Sequence, residues 1–198
     1  RQKPRNPRRI SRSNSDHRHA FIDLFFHRLV QRRICDRLHR DNEYFVAWTT
    51  TPWTLPGNVG LAVNPAAEYV QVESNGEKLW FAKDLVPEGL TVLQTARGPE
   101  LVGLPYEPLF SFVPVGEQKA YVVVAADFVT MDDGTGIVHT AAIYGEDDYN
   151  LGLAQDLPMV PLLDQSGNFN ADAPELIRGQ YFKKAERAIK EDLEARGL

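Results

Sequence analysis

The sequence of 198 residues contains a single cysteine, Cys35, and none of its apolar runs approaches the ~18 residues that a membrane-spanning helix needs. One cysteine cannot form an internal disulfide or a cysteine-based zinc site. No signal-peptide pattern opens the chain, and it contains neither a P-loop nor a well-placed dinucleotide-binding fingerprint. The acidic run 132–136 lacks the spacing of a calcium loop. We therefore expect a cytoplasmic domain with no membrane partner and no metal site.

Positive charge is concentrated at the start of the chain. Residues 1–40 contain 12 of the 22 Lys and Arg side chains and three acids, or +9, whereas the remaining residues contain 10 basic and 24 acidic side chains, or −14. A basic arm of this kind can contact nucleic-acid phosphates, but the scarcity of apolar side chains in 1–19 is equally typical of a disordered tail. The apolar spacing in 20–38 predicts one amphipathic helix. We divide the chain into a basic arm of uncertain structure at 1–42 and a folded domain at 43–198.

Beyond this arm the dominant pattern is the alternation typical of β-strands. Short runs rich in β-branched and aromatic residues predict strands at 44–48, 59–63, 69–73, 78–82, 121–125 and 136–141. The Asn75-Gly76 pair predicts a hairpin turn, and four prolines make 98–114 a loop or an edge strand. Helices are expected at 146–155, with acids in its first turn, and at 182–195, with one apolar face. Many short strands and few helices indicate a mainly antiparallel sheet or barrel.

Three consecutive threonines, Thr49, Thr50 and Thr51, follow the first predicted strand and lead into Pro52 and Pro56. The prolines are expected to prevent the chain from continuing as a ladder or a helix, which leaves the hydroxyls at a strand end beside unpaired backbone amides. Such a place can hold a small polar group or a water molecule. A threonine-rich strand edge followed by a proline-rich loop is the alternative interpretation.

A second motif combines the run Gly134-Thr135-Gly136-Ile137-Val138-His139-Thr140-Ala141 with Tyr144-Gly145-Glu146-Asp147-Asp148-Tyr149. His139 lies within an apolar strand, where it is a buried structural side chain, a general base or the wall of a pocket. Asp148 lies near a helix start. It is either a partner of the helix dipole or a carboxylate at a pocket mouth, where it would bind a cationic group.

The threonine run and the second motif together resemble the editing domain of isoleucyl-tRNA synthetase, a class I aminoacyl-tRNA synthetase, over residues 44–198. The valine and leucine relatives carry an arginine where this chain has Thr51, which points to the isoleucine branch. The resemblance implies a mainly β fold with peripheral α-helices and an antiparallel, β-barrel-like core. The HIGH and KMSKS motifs of a complete synthetase are missing, so an inserted domain without the amino-acid-activating site is implied. Ala142 and Ile143 depart from the family, where a proline is expected.

The resemblance also implies a function, the hydrolysis of tRNA(Ile) mischarged with valine, and it leaves open whether valyl-adenylate is a second substrate. Four residues are implied to be catalytic: Thr49, Thr50, Thr51 and Asp148. Four are implied to bind substrate: Trp48, Asn58, His139 and Thr140. In this scheme Asp148 holds the α-ammonium group of the ester, and His139 limits the size of the side chain admitted. No cofactor is implied for editing, since ATP and zinc would belong to the full-length synthetase.

The implied partners are tRNA(Ile) carrying valine and the rest of the synthetase chain, and we expect a monomer. The basic arm keeps a second interpretation open, a tRNA-binding module of a synthetase that has no catalytic activity. A structural β domain of an unrelated enzyme would fit the composition, but it would not explain the two motifs.

Overall fold

Short β-strands make up most of the regular structure in residues 35–38 and 42–198, the residues that the computed structural model describes. The strands are β1 Cys35–Leu38, β2 Glu43–Val46, β3 Gly60–Val63, β4 Glu68–Ser74, β5 Glu77–Ala82, β6 Thr91–Arg97, β7 Tyr106–Glu107, β8 Val122–Ala125 and β9 Ile137–Thr140. The helices are α1 Gly98–Leu101, α2 Glu146–Gln155 and α3 Phe182–Ala195, with 3-10 helices at Pro52–Gly57 and Lys83–Leu85. In this part of the chain, no helix has the length and apolar content needed to cross a membrane.

The basic arm predicted at 1–42 lies mostly outside the described residues. The amphipathic helix predicted for 20–38 is wrong at its C-terminal end, because Cys35–Leu38 forms strand β1, antiparallel to β2 and to β7. A short apolar run cannot distinguish a strand from a helix by its spacing alone, and here the ladder with two neighbouring strands satisfies the backbone.

The described strands form two sheets. Six strands are arranged in the order β6-β4-β5-β2-β1-β7, and three in the order β8-β3-β9. Five of the seven pairings between these strands are antiparallel, whereas β2–β5 and β3–β8 are parallel. The prediction of a mainly β fold with peripheral helices is confirmed. The barrel-like core takes the form of two open sheets, neither of which closes on itself.

Apolar side chains from both sheets pack into one buried cluster. Its members include Phe45, Tyr69, Trp80, Ala82, Leu61, Val63, Val123 and Ile137. Burial of a large apolar side chain stabilises the fold by roughly 1.5–3 kcal/mol, so this cluster holds β2 of one sheet firmly against β9 of the other. The threonine run follows β2 and the second motif surrounds β9. The core therefore determines where both motifs lie.

The chain after β2 forms a 3-10 helix at Pro52–Gly57, so the prediction that the prolines exclude a helix is wrong. Pro52 occupies the first turn, where a backbone amide would have no helical partner in any case. The hydrogen bonds of this short helix use other amides. The Thr54 amide donates to the Thr51 carbonyl at 2.9 Å, and the Asn58 amide donates to the Leu55 carbonyl at 3.1 Å.

The remaining predicted elements agree well with the structure. Asn75 and Gly76 adopt positive φ angles of 53° and 82°, as a two-residue hairpin turn requires. Helices α2 and α3 have the predicted limits, and α3 buries Ala185, Ile189 and Leu193 on its apolar face. The proline-rich segment 98–114 contains the edge strand β7 and also the short helix α1, which was not predicted.

Candidate active site

The threonine run forms a tight polar turn between β2 and the first 3-10 helix. The Thr51 amide donates to Thr49 Oγ1 at 3.0 Å, and the hydroxyls of Thr49 and Thr51 lie 3.3 Å apart. Thr50 and Thr51 are exposed, whereas Pro52 is buried and anchors the start of the helix. The turn therefore presents hydroxyl groups to solvent on a backbone that is fixed at both ends.

Thr54 connects this exposed turn to the buried His139. Its hydroxyl donates to the Thr51 carbonyl at 2.8 Å and lies 2.8 Å from His139 Nε2. A threonine hydroxyl has one hydrogen to donate, so His139 must supply the hydrogen of the second bond from Nε2. This assigns the Nε2–H tautomer to His139 and leaves Nδ1 as a hydrogen-bond acceptor.

His139 is a neutral, buried side chain. Only 7% of it is exposed, and burial lowers its pKa to about 4. Its Nδ1 has no hydrogen-bond partner among the described residues. A general base works best when its pKa lies near the operating pH. A pKa near 4 therefore favours the pocket wall or the structural role over the base.

Asp148 differs from the two acids that precede it. Glu146 and Asp147 are exposed, whereas Asp148 is half-buried and its Oδ2 accepts a hydrogen bond from the Ala141 amide at 3.4 Å. Burial raises the pKa of Asp148 to about 6, the Ala141 amide lowers it and the nearby charge of Asp147 raises it. Within residues 42–198, Asp148 forms no ion pair. A carboxylate in this state is a favourable partner for a cation.

The end of β9 brings these features together. Ala141 follows β9 directly, so the amide that binds Asp148 lies two residues after His139. A Cβ built on Gly57, at the end of the 3-10 helix, would lie 3.8 Å from the Cβ of Ala141 and 3.4 Å from the ring of Tyr144. The 3-10 helix that follows the threonine turn therefore packs against the segment that joins β9 to α2.

Trp48 provides a direct contact between the two motifs. It is half-buried, and its ring lies 3.5 Å from the position that a Cβ on Gly134 would occupy. Gly134 has a φ of +73°, a backbone conformation that residues other than glycine rarely adopt. Glycine at this position thus lets the backbone approach the indole closely.

Asn58 and Thr140 occupy different surroundings from the other predicted residues. Asn58 is 2% exposed, its Nδ2 donates to the Gly60 carbonyl at 3.0 Å, and its Oδ1 accepts a hydrogen bond from the Tyr106 hydroxyl. These bonds use the Asn58 amide to hold the loop. Thr140 is fully buried, and because it is adjacent to His139 in a strand it points to the opposite face. The structure therefore does not bring Thr140 to the His139 side of β9.

Thr54 and Tyr106 had no role predicted from the sequence. Thr54 lies three residues after Thr51, a spacing that brings side chains to one face of a helical turn, but a helix had been excluded there. Its contact with His139 spans 85 positions in the sequence and depends on the pairing of β3 with β9 and on the 3-10 helix before β3. The contact of Tyr106 with Asn58 spans 48 positions and joins β7 of the six-stranded sheet to the residues before β3 of the other sheet.

Within the described ranges, His, Cys, Asp and Glu side chains form no group of three or more that could hold a metal ion. The expected absence of a cofactor for editing stays a prediction. The roles of the eight residues singled out in the sequence likewise stay predictions.

The sequence of this chain was compared with family models and with the sequences of known proteins. No family model matches it. Over 161 residues, 79% of the chain, it is 50% identical to the isoleucine--tRNA ligase of Clostridium novyi. Over 160 residues, also 79% of the chain, it is 49% identical to the isoleucine--tRNA ligase of Clostridium acetobutylicum. The chain spans 15% of the length of each of these relatives.

Solved structures with the same fold come from leucyl-tRNA synthetases. The crystal structure of GlLeuRS-CP1 has a TM-score of 0.61 at 17% identity, with 93% of this chain and 90% of the other covered. The editing domain of the P. knowlesi cytosolic leucyl-tRNA synthetase has a TM-score of 0.58 at 14% identity, with 91% and 90% covered. The chain is therefore similar in sequence to a segment of the isoleucine--tRNA ligases and has the fold of a class I synthetase editing domain.

Proposed function

We propose that this domain hydrolyses the ester between valine and tRNA(Ile). The observation that carries the proposal is the hydrogen-bonded chain from the exposed threonine turn through Thr54 to the neutral, buried His139, with the half-buried Asp148 carboxylate at the end of the same strand. The family likeness supplies the reaction class. The proposed whole enzyme is an isoleucine–tRNA ligase, in which the rest of the synthetase chain and tRNA(Ile) are the partners.

The need for a second site is a matter of free energy. The isoleucine enzymes are themselves the standard illustration of this problem: one methylene group is worth about 1–3 kcal/mol, so isoleucine is preferred over valine only ~150-fold in a single apolar site. A second pocket that admits valine and excludes isoleucine multiplies that discrimination. His139 is suited to form its wall, because burial and the bond to Thr54 fix its ring.

Asp148 is proposed to bind the α-ammonium group of the ester. A charge-assisted hydrogen bond is roughly twice as strong as a neutral one, and the carboxylate has no competing cation among the described residues. This interaction would orient the amino acid so that its side chain points at His139. A correctly oriented ester needs no covalent enzyme intermediate, since orientation alone can supply much of the acceleration.

The threonine turn is proposed to position the attacking water and the reacting carbonyl. Water oxygen attacks the carbonyl carbon, the bond to the ribose oxygen breaks, and a proton passes to that oxygen, which yields free valine and uncharged tRNA. Thr49 Oγ1 already accepts the Thr51 amide hydrogen and can accept the Thr51 hydroxyl hydrogen, so the Thr49 hydroxyl is held in place and keeps its own hydrogen to donate to the oxygen on which negative charge develops.

A deacylation assay tests the proposal. We expect the chain to release valine from Val-tRNA(Ile) and to leave Ile-tRNA(Ile) intact. Asp148→Ala should lose nearly all activity, and Asp147→Ala is the matched control because Asp147 lies beside it and is exposed. Equal turnover by wild type and Asp148→Ala would refute the assigned role. Binding of tRNA without any hydrolysis would instead support the non-catalytic module. Cytoplasmic location and a monomeric state stay predictions.

A further inference from the structure

Four aromatic side chains form a continuous strip beside the candidate active site. The rings of Tyr144 and Trp53 have centroids 5.1 Å apart, those of Trp53 and Phe182 are 4.7 Å apart, and those of Phe182 and Tyr181 are 4.7 Å apart. The rings of Tyr144, Trp53 and Phe182 are half-buried, and Tyr181 at the end of the row is 40% exposed. We call Tyr144, Trp53, Phe182 and Tyr181 the aromatic strip.

Two members of the aromatic strip lie close in sequence to residues of the candidate active site. Trp53 lies two residues after Thr51, in the 3-10 helix that follows the threonine turn, and Tyr144 lies four residues before Asp148. The Tyr144 hydroxyl accepts a hydrogen bond from the Leu162 amide at 2.7 Å, which fixes its ring. The strip therefore runs from the site outward to the first turn of α3 on anchored side chains.

The charges of α3 are arranged against its dipole. Lys183, Lys184, Arg187 and Lys190 outnumber Glu186 in its N-terminal part, whereas three acids and no base occupy 191–195. Cations are unfavourable near a helix N-terminus, so this order costs stability. Four of the ten basic residues that follow residue 40 lie here, in a part of the chain with an excess of acids. Two ion pairs, Arg187 with Glu191 and Asp192 with Arg196, offset part of this cost. Lys183 and Lys184 form no ion pair among the described residues, so their charges are available to an anionic ligand.

We propose that the aromatic strip and the basic part of α3 bind the single-stranded RNA that precedes the terminal, esterified nucleotide. This inference rests on the proposed function, which places that nucleotide between the threonine turn and Asp148. Exposed aromatic rings stack on bases, and lysines beside them contact phosphates, which together are the usual features of single-stranded RNA sites. Lys183 Nζ already lies 5.8 Å from the centroid of the Phe182 ring, so cation and ring form one surface.

Binding and hydrolysis by the full chain test this inference. The probe for binding is a fluorescent RNA of about eight nucleotides that ends in CCA, titrated at several salt concentrations. We expect Tyr181→Ala to weaken binding about tenfold, as loss of one stacked base does. The double variant Lys183→Gln, Lys184→Gln should reduce the steepness of the plot of log binding constant against log salt concentration by about 1.4. Each contacted phosphate contributes about 0.7 to that slope for a single strand. Phe112→Ala is the matched control, an aromatic side chain 44% exposed that lies outside the strip.

Hydrolysis separates this inference from the proposed function. Both sets of variants should hydrolyse valyl-adenosine like wild type and lose kcat/KM on the valylated RNA. RNA binding unchanged from wild type in both sets would overturn the inference, and so would a parallel loss on both substrates, which indicates a role in the fold alone. If wild type hydrolyses neither ester yet binds RNA through the strip, the proposed function fails and the RNA site stands.

Discussion

Replacement of Asp148 by asparagine should make the domain more stable at alkaline pH and inactive. Asparagine keeps the shape of the side chain, and its Oδ1 can still accept the hydrogen bond of the Ala141 amide. It removes the negative charge and puts an uncharged NH2 group in place of the second carboxylate oxygen. Burial raises the pKa of Asp148 from its usual 3.8 to about 6. The folded protein thus binds this proton more tightly than the unfolded chain does.

The sign and size of the effect follow from this difference in pKa. Below pH ~4 the Asp148 carboxyl is largely protonated in both the folded and the unfolded protein, so it does not lower the free energy of unfolding. As pH rises from about 4 to about 6, the unfolded chain loses the proton first, and the free energy of unfolding falls. The pKa difference of about two units corresponds to ~3 kcal/mol at 1.36 kcal/mol per unit. Because Asp148 is only half-buried, solvent screens part of this charge, and Asp148→Asn should gain ~1–3 kcal/mol at pH 8 and little at pH 4.

Urea denaturation at pH 4 and pH 8 measures this difference directly, provided that the slope against urea is the same in both proteins. Asp147→Asn is the control. Asp147 is exposed, and surface substitutions usually change stability by less than ~0.5 kcal/mol. Equal stability of Asp148→Asn and wild type at pH 8 would show that the charge is well solvated, and Asp148 would then not be a carboxylate that the fold holds ready for a cation.

Three further predictions concern the neighbouring residues. His139→Ala should retain valyl-ester hydrolysis and acquire isoleucyl-ester hydrolysis, whereas a fall of both rates by ~10²–10⁴-fold would identify a general base instead. Thr54→Val should leave the His139 Nε2–H without its acceptor and cost about 1–3 kcal/mol in urea denaturation, with Thr54→Ser close to wild type; equal loss in both variants would contradict the hydrogen-bond argument. Gly136→Ala should lower the melting temperature more than Gly103→Ala does. Both glycines have positive φ, but only at Gly136 would the new Cβ meet Ala82, at 2.2 Å.

The elements that the sequence predicted best are those in which burial alternates with a regular period. Helix α3 has Ala185, Ile189 and Leu193 on one face, and its limits were predicted to the residue. Strand β6 was missed for the opposite reason. Six of its seven residues are exposed, so it has no buried face to impose a period of two. Its pairing with β4 holds it in place, and a pairing partner cannot be identified from the local pattern.

In the candidate active site, too, features set by neighbouring residues were predicted and contacts between distant residues were not. The two motifs, the strand around His139 and the helix start before Asp148 were all predictable from neighbouring residues. The bond between Thr54 and His139 was not, because it depends on β3 pairing with β9 and on the 3-10 helix that the prolines were expected to exclude. Two parallel pairings, β2–β5 and β3–β8, also join strands whose order the sequence pattern does not determine.

Buried polar atoms without partners do not by themselves mark the active site. Within the described residues, Gln71 Nε2, Trp80 Nε1 and Tyr121 Oη lack partners as His139 Nδ1 does, and none of these three belongs to either motif. His139 differs because a chain of hydroxyls links it to an exposed turn, and because the strand that carries it ends at the amide bound by Asp148. An orphaned atom in an apolar core costs stability and has no access to a ligand. His139 instead lies behind a fixed polar turn, on a strand that ends at the amide bound by Asp148. The fold opposes the charge of that carboxylate, and a bound cationic ester would offset part of its cost.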